Sequence, residues 1–273
     1  MLLPVTVIEI PDRDAVGIRA ANPSPFTLTG TNTWIVGRDP AWLIDPGPVL
    51  DSHLDALEAE IRLRNGLGGI ALTHDHPDHA AALDAMRERF PRARVGAARG
   101  DVTDTLADGD TFGPLEALYT PGHATDHLAF LVADLAFTGD AVLGEGSVFI
   151  TPDPGALAGY LNGLNRLLAK QPKIIGPAHG PLVTDPRAKI EQYVSHRLDR
   201  ERKLVQALAA GKRTIDELLD DVWADAPAIL RPAAAVTLEA HLDKLEGEGR
   251  LPDGVQRIAW SGWPAGSGAA AGP

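Results

Sequence analysis

The sequence contains no cysteine. That absence excludes a disulfide scaffold, a zinc ribbon, a thiolate nucleophile and a cysteine-ligated cluster, and it is compatible with a reducing compartment. No stretch approaches the roughly 18 consecutive apolar residues of a membrane span. The segment Met1–Ile10 lacks a basic start and is interrupted by Pro4 and Glu9, so it does not read as a secretory signal. The expectation is a cytoplasmic protein with no membrane partner. An excess of positive charge is also missing: 25 Lys and Arg against 37 Asp and Glu leave a net charge of −12. Such a chain repels nucleic acid on average, although a local basic groove would escape that average. There is no internal repeat.

What is present is an ordinary globular composition, 44% hydrophobic and 23% charged over 273 residues. A chain of this length buries about 75% of its unfolded surface and needs no staple. It is long for one domain of roughly 100–200 residues, so one large domain plus an appendage is expected. Glycine (28) and proline (22) punctuate the first two-thirds densely, as many short strands and turns require. Residues 33–36 and 41–44 read as strands of a hairpin, and Leu54, Leu57 and Ile61 mark a helix over 51–64. A strand is expected over 69–73, then a helix over 79–90 ending before Pro91. A second hairpin follows at 128–132 and 135–138, a helix at 155–170 and a strand at 173–175. Strands mixed with helices imply an α/β fold with a sheet core.

Near residue 187 the texture changes. A charged helix free of glycine and proline runs over 188–210, stopped by Gly211. Thr214 and Glu217 form a capping box. A third helix covers 231–247 with Leu238, Leu242 and Leu245 inward, and Arg250 to Val255 reads as strand–turn–strand. Three helices closed by a hairpin describe a winged-helix module. The expected division is a large α/β domain over 1–186, the module over 187–260 and a flexible tail over 261–273. The module's third helix is net acidic, a poor phosphate-docking surface. Its basic cluster, Arg197, Arg200, Arg202 and Lys203, is interleaved with Asp199 and Glu201. The module is read as a wall of the substrate groove or as a homodimer contact.

The chemistry lies in Thr73-His74-Asp75-His76-Pro77-Asp78-His79, an H-x-H-x-D-H run. It follows a strand, so His74 and His76 can point the same way from extended chain while Asp78 and His79, displaced by the helix start, aim elsewhere. Asp78 as a helix cap is the alternative. Imidazole and carboxylate are the ligands of catalytic zinc. Three further ligand-type residues sit in glycine-flanked turns after strands: His123 after Gly122, Asp140 after Gly139 and His179 before Gly180. That arrangement suits a two-metal site at one edge of a sheet.

These residues resemble the metallo-β-lactamase superfamily, over about residues 20–185. The resemblance implies a four-layer αβ/βα sandwich. It also implies that His74, His76 and His123 hold one zinc, that Asp78, His79 and His179 hold the second, and that Asp140 bridges them. Iron or manganese are alternative metals. Members with a cysteine ligand are excluded, so a true β-lactamase is not expected. Gly30-Thr31-Asn32-Thr33-Trp34, Thr120 to His127 and Ser195-His196-Arg197 before the module look like the β-lactamase-like protein 2 group, in which a winged helix follows the hydrolase domain.

The implied mechanism is attack of a metal-bridging hydroxide on an ester or thioester carbonyl. Asp78 would also orient the nucleophile, and His127 and His196 are the candidate acids for the leaving group. Asp45, at the end of a strand before Pro46, is expected to hydrogen-bond a ligand histidine. A small-molecule or acyl substrate is favoured. The alternatives are a metal-dependent endoribonuclease on single-stranded RNA and, further off, a mononuclear iron persulfide dioxygenase. His53 and His241, on helices, read as surface or boundary residues. The tryptophans read as packing rather than base-stacking residues.

Overall fold

A computed structural model describes residues 5–259; Trp260 and the tail expected over 261–273, which includes Trp263, lie outside them. Two sheets face each other. The first has seven strands in sequence order: β1 (Thr6–Glu9), β2 (Ala15–Arg19), β3 (Asn32–Val36), β4 (Ala41–Ile44), β5 (Leu67–Ala71), β6 (Arg94–Ala97) and β7 (Asp104–Thr105). It is antiparallel from β1 to β4 and parallel from β4 to β7. The second has five strands, ordered β12 (Ile174–Pro177), β11 (Leu135–Gly139), β10 (Leu128–Val132), β9 (Leu115–Tyr119) and β8 (Thr111–Phe112). Only β11 and β12 run parallel there.

The two-residue period of each strand sorts side chains between layers. Trp34, Ile44, Phe130 and Phe137 meet between the sheets. Ile35, Leu43 and Ile70 face outward onto α1 (Asp51–Leu63) and α3 (Leu83–Arg89) through Leu57, Ile61 and Met86. On the other side Ala129, Leu131 and Ile175 pack on α4 (Ala156–Ala169) and α5 (Pro186–Ala209). The order of layers is helix, sheet, sheet, helix, as the αβ/βα sandwich requires. The far half of α5 joins α6 (Ile215–Val222) and α7 (Arg231–Gly247) around Leu204, Leu218, Trp223, Leu238 and Leu242. The Thr214–Glu217 capping box is formed.

Four expectations are corrected. The helix placed over 79–90 is two pieces, α2 (Pro77–Ala80) and α3. The turn after β4 splices between them: Ala82 N–H donates to Gly47 O at 2.9 Å, and Gly47 N–H to His79 O at 2.8 Å. Strand β5 begins and ends two residues early, because the Thr73 backbone turns to a side chain instead of continuing the ladder. The strand–turn–strand at Arg250–Val255 forms no strands; Gln256 N–H donating to Arg213 O at 2.8 Å ties that segment down. His53 and His241 are fully buried rather than at a boundary. His53 packs beneath the β4–α1 turn. His241 sits on a helix covered on two faces, by α4 and by α6, where a one-face pattern misassigns position.

Candidate metal centre

The strand polarity brings the ligand-type residues together. Strands β4, β5, β11 and β12 all end at one edge, and backbone bonds between the sheets and within the second one hold that edge in register. Leu128 N–H donates to Thr73 O at 2.7 Å, Asn32 N–H to Ala178 O at 2.7 Å and Ala178 N–H to Gly139 O at 3.1 Å. Asn32, readable as a turn former, instead lies buried in β3. Its Nδ2 donates to Pro177 O and Gly180 O, bracketing His179. Gly139, at φ +48°, passes so near Thr73 and His127 that a Cβ would lie 2.6 Å from Thr73 Oγ1. A side chain there would push the Asp140 turn off the site.

Three donor groups result: His74–His76–His123, Asp78–His79–His179 and, joining them, His74–His79–Asp140. Asp140 faces both triads, with Oδ2 at 3.3 Å from His123 Nε2 and Oδ1 at 3.4 Å from His179 Nε2. Asp78 makes no capping bond; its Oδ2 lies 3.2 Å from His179 Nε2. All seven residues expected as ligands therefore converge.

Hydrogen bonds behind the site set the tautomers. Thr73 Oγ1 donates to Asp45 Oδ2 at 2.7 Å, so it accepts from His74 Nδ1 at 3.0 Å. His79 Nδ1 donates to Asp45 Oδ2 at 2.8 Å and His123 Nδ1 to Phe149 O at 3.2 Å. In its neutral form each ring thus turns a bare Nε2 inward. His74 Nε2, His79 Nε2 and Asp140 Oδ1 are buried with no hydrogen-bond partner. His76 Nδ1 and His123 Nε2 lie only 3.0 Å apart. Converging lone pairs of this kind are costly alone and are satisfied by a shared cation. The donors fit divalent metal, and an imidazole–carboxylate set suits zinc, iron or manganese.

Charge is divided across the site: burial lowers His79 and His179, but the surrounding carboxylates outweigh it and raise both, while His74 is held down. Burial, then the neighbouring histidines, holds His74 well below its ordinary value, keeping it neutral. Burial raises Asp78, but His79 and His179 outweigh it and bring the carboxyl to about 2. Asp45 behaves as expected, taking His79 and both donors of Thr73. It sits at φ +53°, a strained conformation for a non-glycine residue, kept where function overrides local preference.

The two histidines expected as acids are placed differently. His127 is fully buried behind the centre: Nε2 accepts from Asp140 N–H at 3.1 Å, and Nδ1 donates to Thr120 Oγ1 at 2.8 Å. Both nitrogens are spent on positioning the Asp140 turn. His196 lines the cavity in front of the centre. Burial, then Arg197 and Arg200, lowers it to about 4, so it carries no acidic proton at neutral pH.

The cavity measures about 830 Å³. It is lined by His76, Asp78, His123, Asp140 and His179 of the donor groups, by Pro25 and Phe26, and by Trp223, Leu230 and Ala233 of the C-terminal module. Thr237 on α7 accepts from Ile150 N–H at 3.2 Å, fixing the module there. Of the basic cluster, Arg200 pairs with Asp225, and Arg202 and Lys203 pair with Asp199. Sequence reasoning did not assign Phe26, Ser147 or Arg197 to the site. For Arg197 a signal existed: Ile190, Tyr193, Arg197, Arg200 and Leu204 follow the three–four spacing of the buried stripe of α5.

Comparison with known proteins agrees with this geometry. The family model for the metallo-beta-lactamase superfamily matches residues 26–101 and 89–179, and that for the beta-lactamase associated winged helix domain matches residues 214–260. A beta-lactamase-like protein 2 homolog of Drosophila melanogaster is 32% identical, the alignment covering 86% of this chain and 89% of the relative. An atrochrysone carboxyl ACP thioesterase of Aspergillus chevalieri is 33% identical over 89% of this chain and 85% of its own. A beta-lactamase domain protein from Burkholderia ambifaria superposes with a TM-score of 0.75 at 21% identity, covering 93% of each chain.

Proposed function

The chain belongs to the metallo-β-lactamase superfamily, and we propose that within it this protein is a dinuclear zinc hydrolase acting on acyl thioesters. When bound, a divalent pair would supply Lewis acidity and lower the pKa of a water toward about 7. The chain's own residues do the rest. Asp45 and Thr73 fix the inward tautomers of His79 and His74. Asp78, ionised at neutral pH, would accept a hydrogen bond from a nucleophilic water. His127 holds Asp140 from behind.

The observation that carries the choice of thioester is that neither histidine expected as the leaving-group acid is available for that role. Neither His127 nor His196 has a proton to give at neutral pH. A thiol leaving group, with an ordinary pKa of about 8.5, departs without one; an alkoxide does not. The thioesterase among the relatives supports the same reading. The cavity also disfavours a polyanion. Arg99 is engaged by Asp75 and Asp126, Arg200 by Asp225, and Glu145 and Asp153 line the cavity as well. Phosphodiesters would meet acids there.

The test is hydrolysis of an S-acyl N-acetylcysteamine against the matching O-alkyl ester. Thioester turnover at least about tenfold faster is expected. Equal rates on both would remove the leaving-group reasoning.

A further inference from the structure

Outside the metal donor set, Ser147, His196 and Arg197 form a cluster with half-made hydrogen bonds. His196 Nε2 accepts from Arg200 Nε at 3.1 Å. An arginine nitrogen only donates, so the His196 ring proton sits on Nδ1. That Nδ1 faces Ser147 Oγ at 3.5 Å, and Arg197 Nη2 reaches the same oxygen at 3.3 Å. Ser147 Oγ in turn lies 3.4 Å from Val148 O. All three contacts are longer than a good hydrogen bond.

Arg197 adds a stronger signal. It is only 2% exposed, and among the described residues no carboxylate lies within ion-pair distance of it. It donates to Val148 O, rests over the Tyr160 ring at 5.5 Å, and leaves Nε without a partner. Three residues along the helix, Arg200 is held by both carboxylate oxygens of Asp225. Buried charges are normally paired, so a guanidinium in a cavity wall with no counter-ion is a place for an anion. All three residues line the cavity over the metal donors. Phe149, which accepts from His123 Nδ1, is two residues from Ser147, a step of about 7 Å along extended chain.

We propose that Ser147, His196 and Arg197 form a subsite for a substrate carboxylate, so that the acyl groups hydrolysed carry an ionised acid remote from the thioester. The subsite rests on the thioesterase reading and narrows its substrate class. A carboxylate matches one guanidinium flanked by two neutral donors. A phosphate dianion would bring more charge than this single unpaired cation offsets, with Glu145 and Asp225 in the same cavity.

The test compares kcat/KM for S-adipoyl and S-hexanoyl N-acetylcysteamine, equal in chain length and different in the terminal acid. Wild-type protein is expected to favour the adipoyl substrate at least about tenfold. That ratio should fall toward one in Arg197→Met and in Ser147→Ala, and be partly kept in Arg197→Lys. Ser147 is exposed, so its variant folds even where an Arg197 variant does not. A ratio near one in wild type, or one untouched by Ser147→Ala, overturns the subsite and leaves the thioesterase reading standing. If neither thioester is hydrolysed, that reading fails, and calorimetric binding of adipic acid monoamide decides the subsite. Binding weakened about tenfold by Ser147→Ala supports it; absent or unchanged binding overturns it.

Discussion

Asp45 Oδ2 accepts the Nδ1 proton of His79 at 2.8 Å, and the same carboxylate takes the backbone and hydroxyl protons of Thr73. One side chain thereby orients two inward histidines, His79 directly and His74 through Thr73. Asp45→Ala should lower metal affinity about 10–100-fold while sparing the overall fold. Competition with a chelator reads this, and unchanged affinity would show that the histidines orient themselves.

Asp140 lies within reach of both triads, with one carboxylate oxygen toward each. Asp140→Ala should reduce metal content below the proposed two ions per chain and cut turnover by about a hundredfold or more. Full metal content with near wild-type turnover would exclude a shared ligand here.

His53 lies beneath the turn that carries Asp45, its Nε2 at 3.0 Å from Thr33 Oγ1. Burial lowers it from 6.5 to about 4. Between those values the unfolded chain binds a proton that the native chain refuses. Stability is therefore complete above the higher value and is lost as pH falls toward the lower one. The loss between pH 7 and pH 5 should be about 2 kcal/mol from this group. His53→Gln should remove that share, measured by denaturant unfolding at both pH values. An unchanged pH dependence would mean that His53 titrates normally.

Ala233, with its small side chain, lines the same cavity as Phe26. Ala233→Phe should raise KM for a benzoyl thioester about tenfold more than for an acetyl thioester. A parallel effect on both would place the acyl group elsewhere.

The site was legible because its ligands occupy chain positions that only strand ends can satisfy. His74, His76, Asp78 and His79 form one run, and His123, Asp140 and His179 each follow a strand beside a glycine. The sheet core was legible where a short, mostly apolar run is bounded by turn residues, as at Thr33–Val36 and Leu128–Val132. It was not legible at β7 and β8, two residues each, which are too short to show a period. The break between α2 and α3 arises from a contact with Gly47, more than thirty residues upstream, which no local window contains. His53, His241 and Arg197 were misplaced or passed over for one reason. A polar residue on a buried stripe looks like a surface residue until its packing partners are known.

Metal content and reaction class, read on one preparation, test the proposed chemistry most directly. Purified protein should contain two zinc ions per chain and hydrolyse acyl thioesters. It should lose that activity with the metal and regain it on zinc addition, and it should leave single-stranded RNA intact. A single iron per chain, or metal-dependent RNA cleavage without thioester turnover, would contradict it.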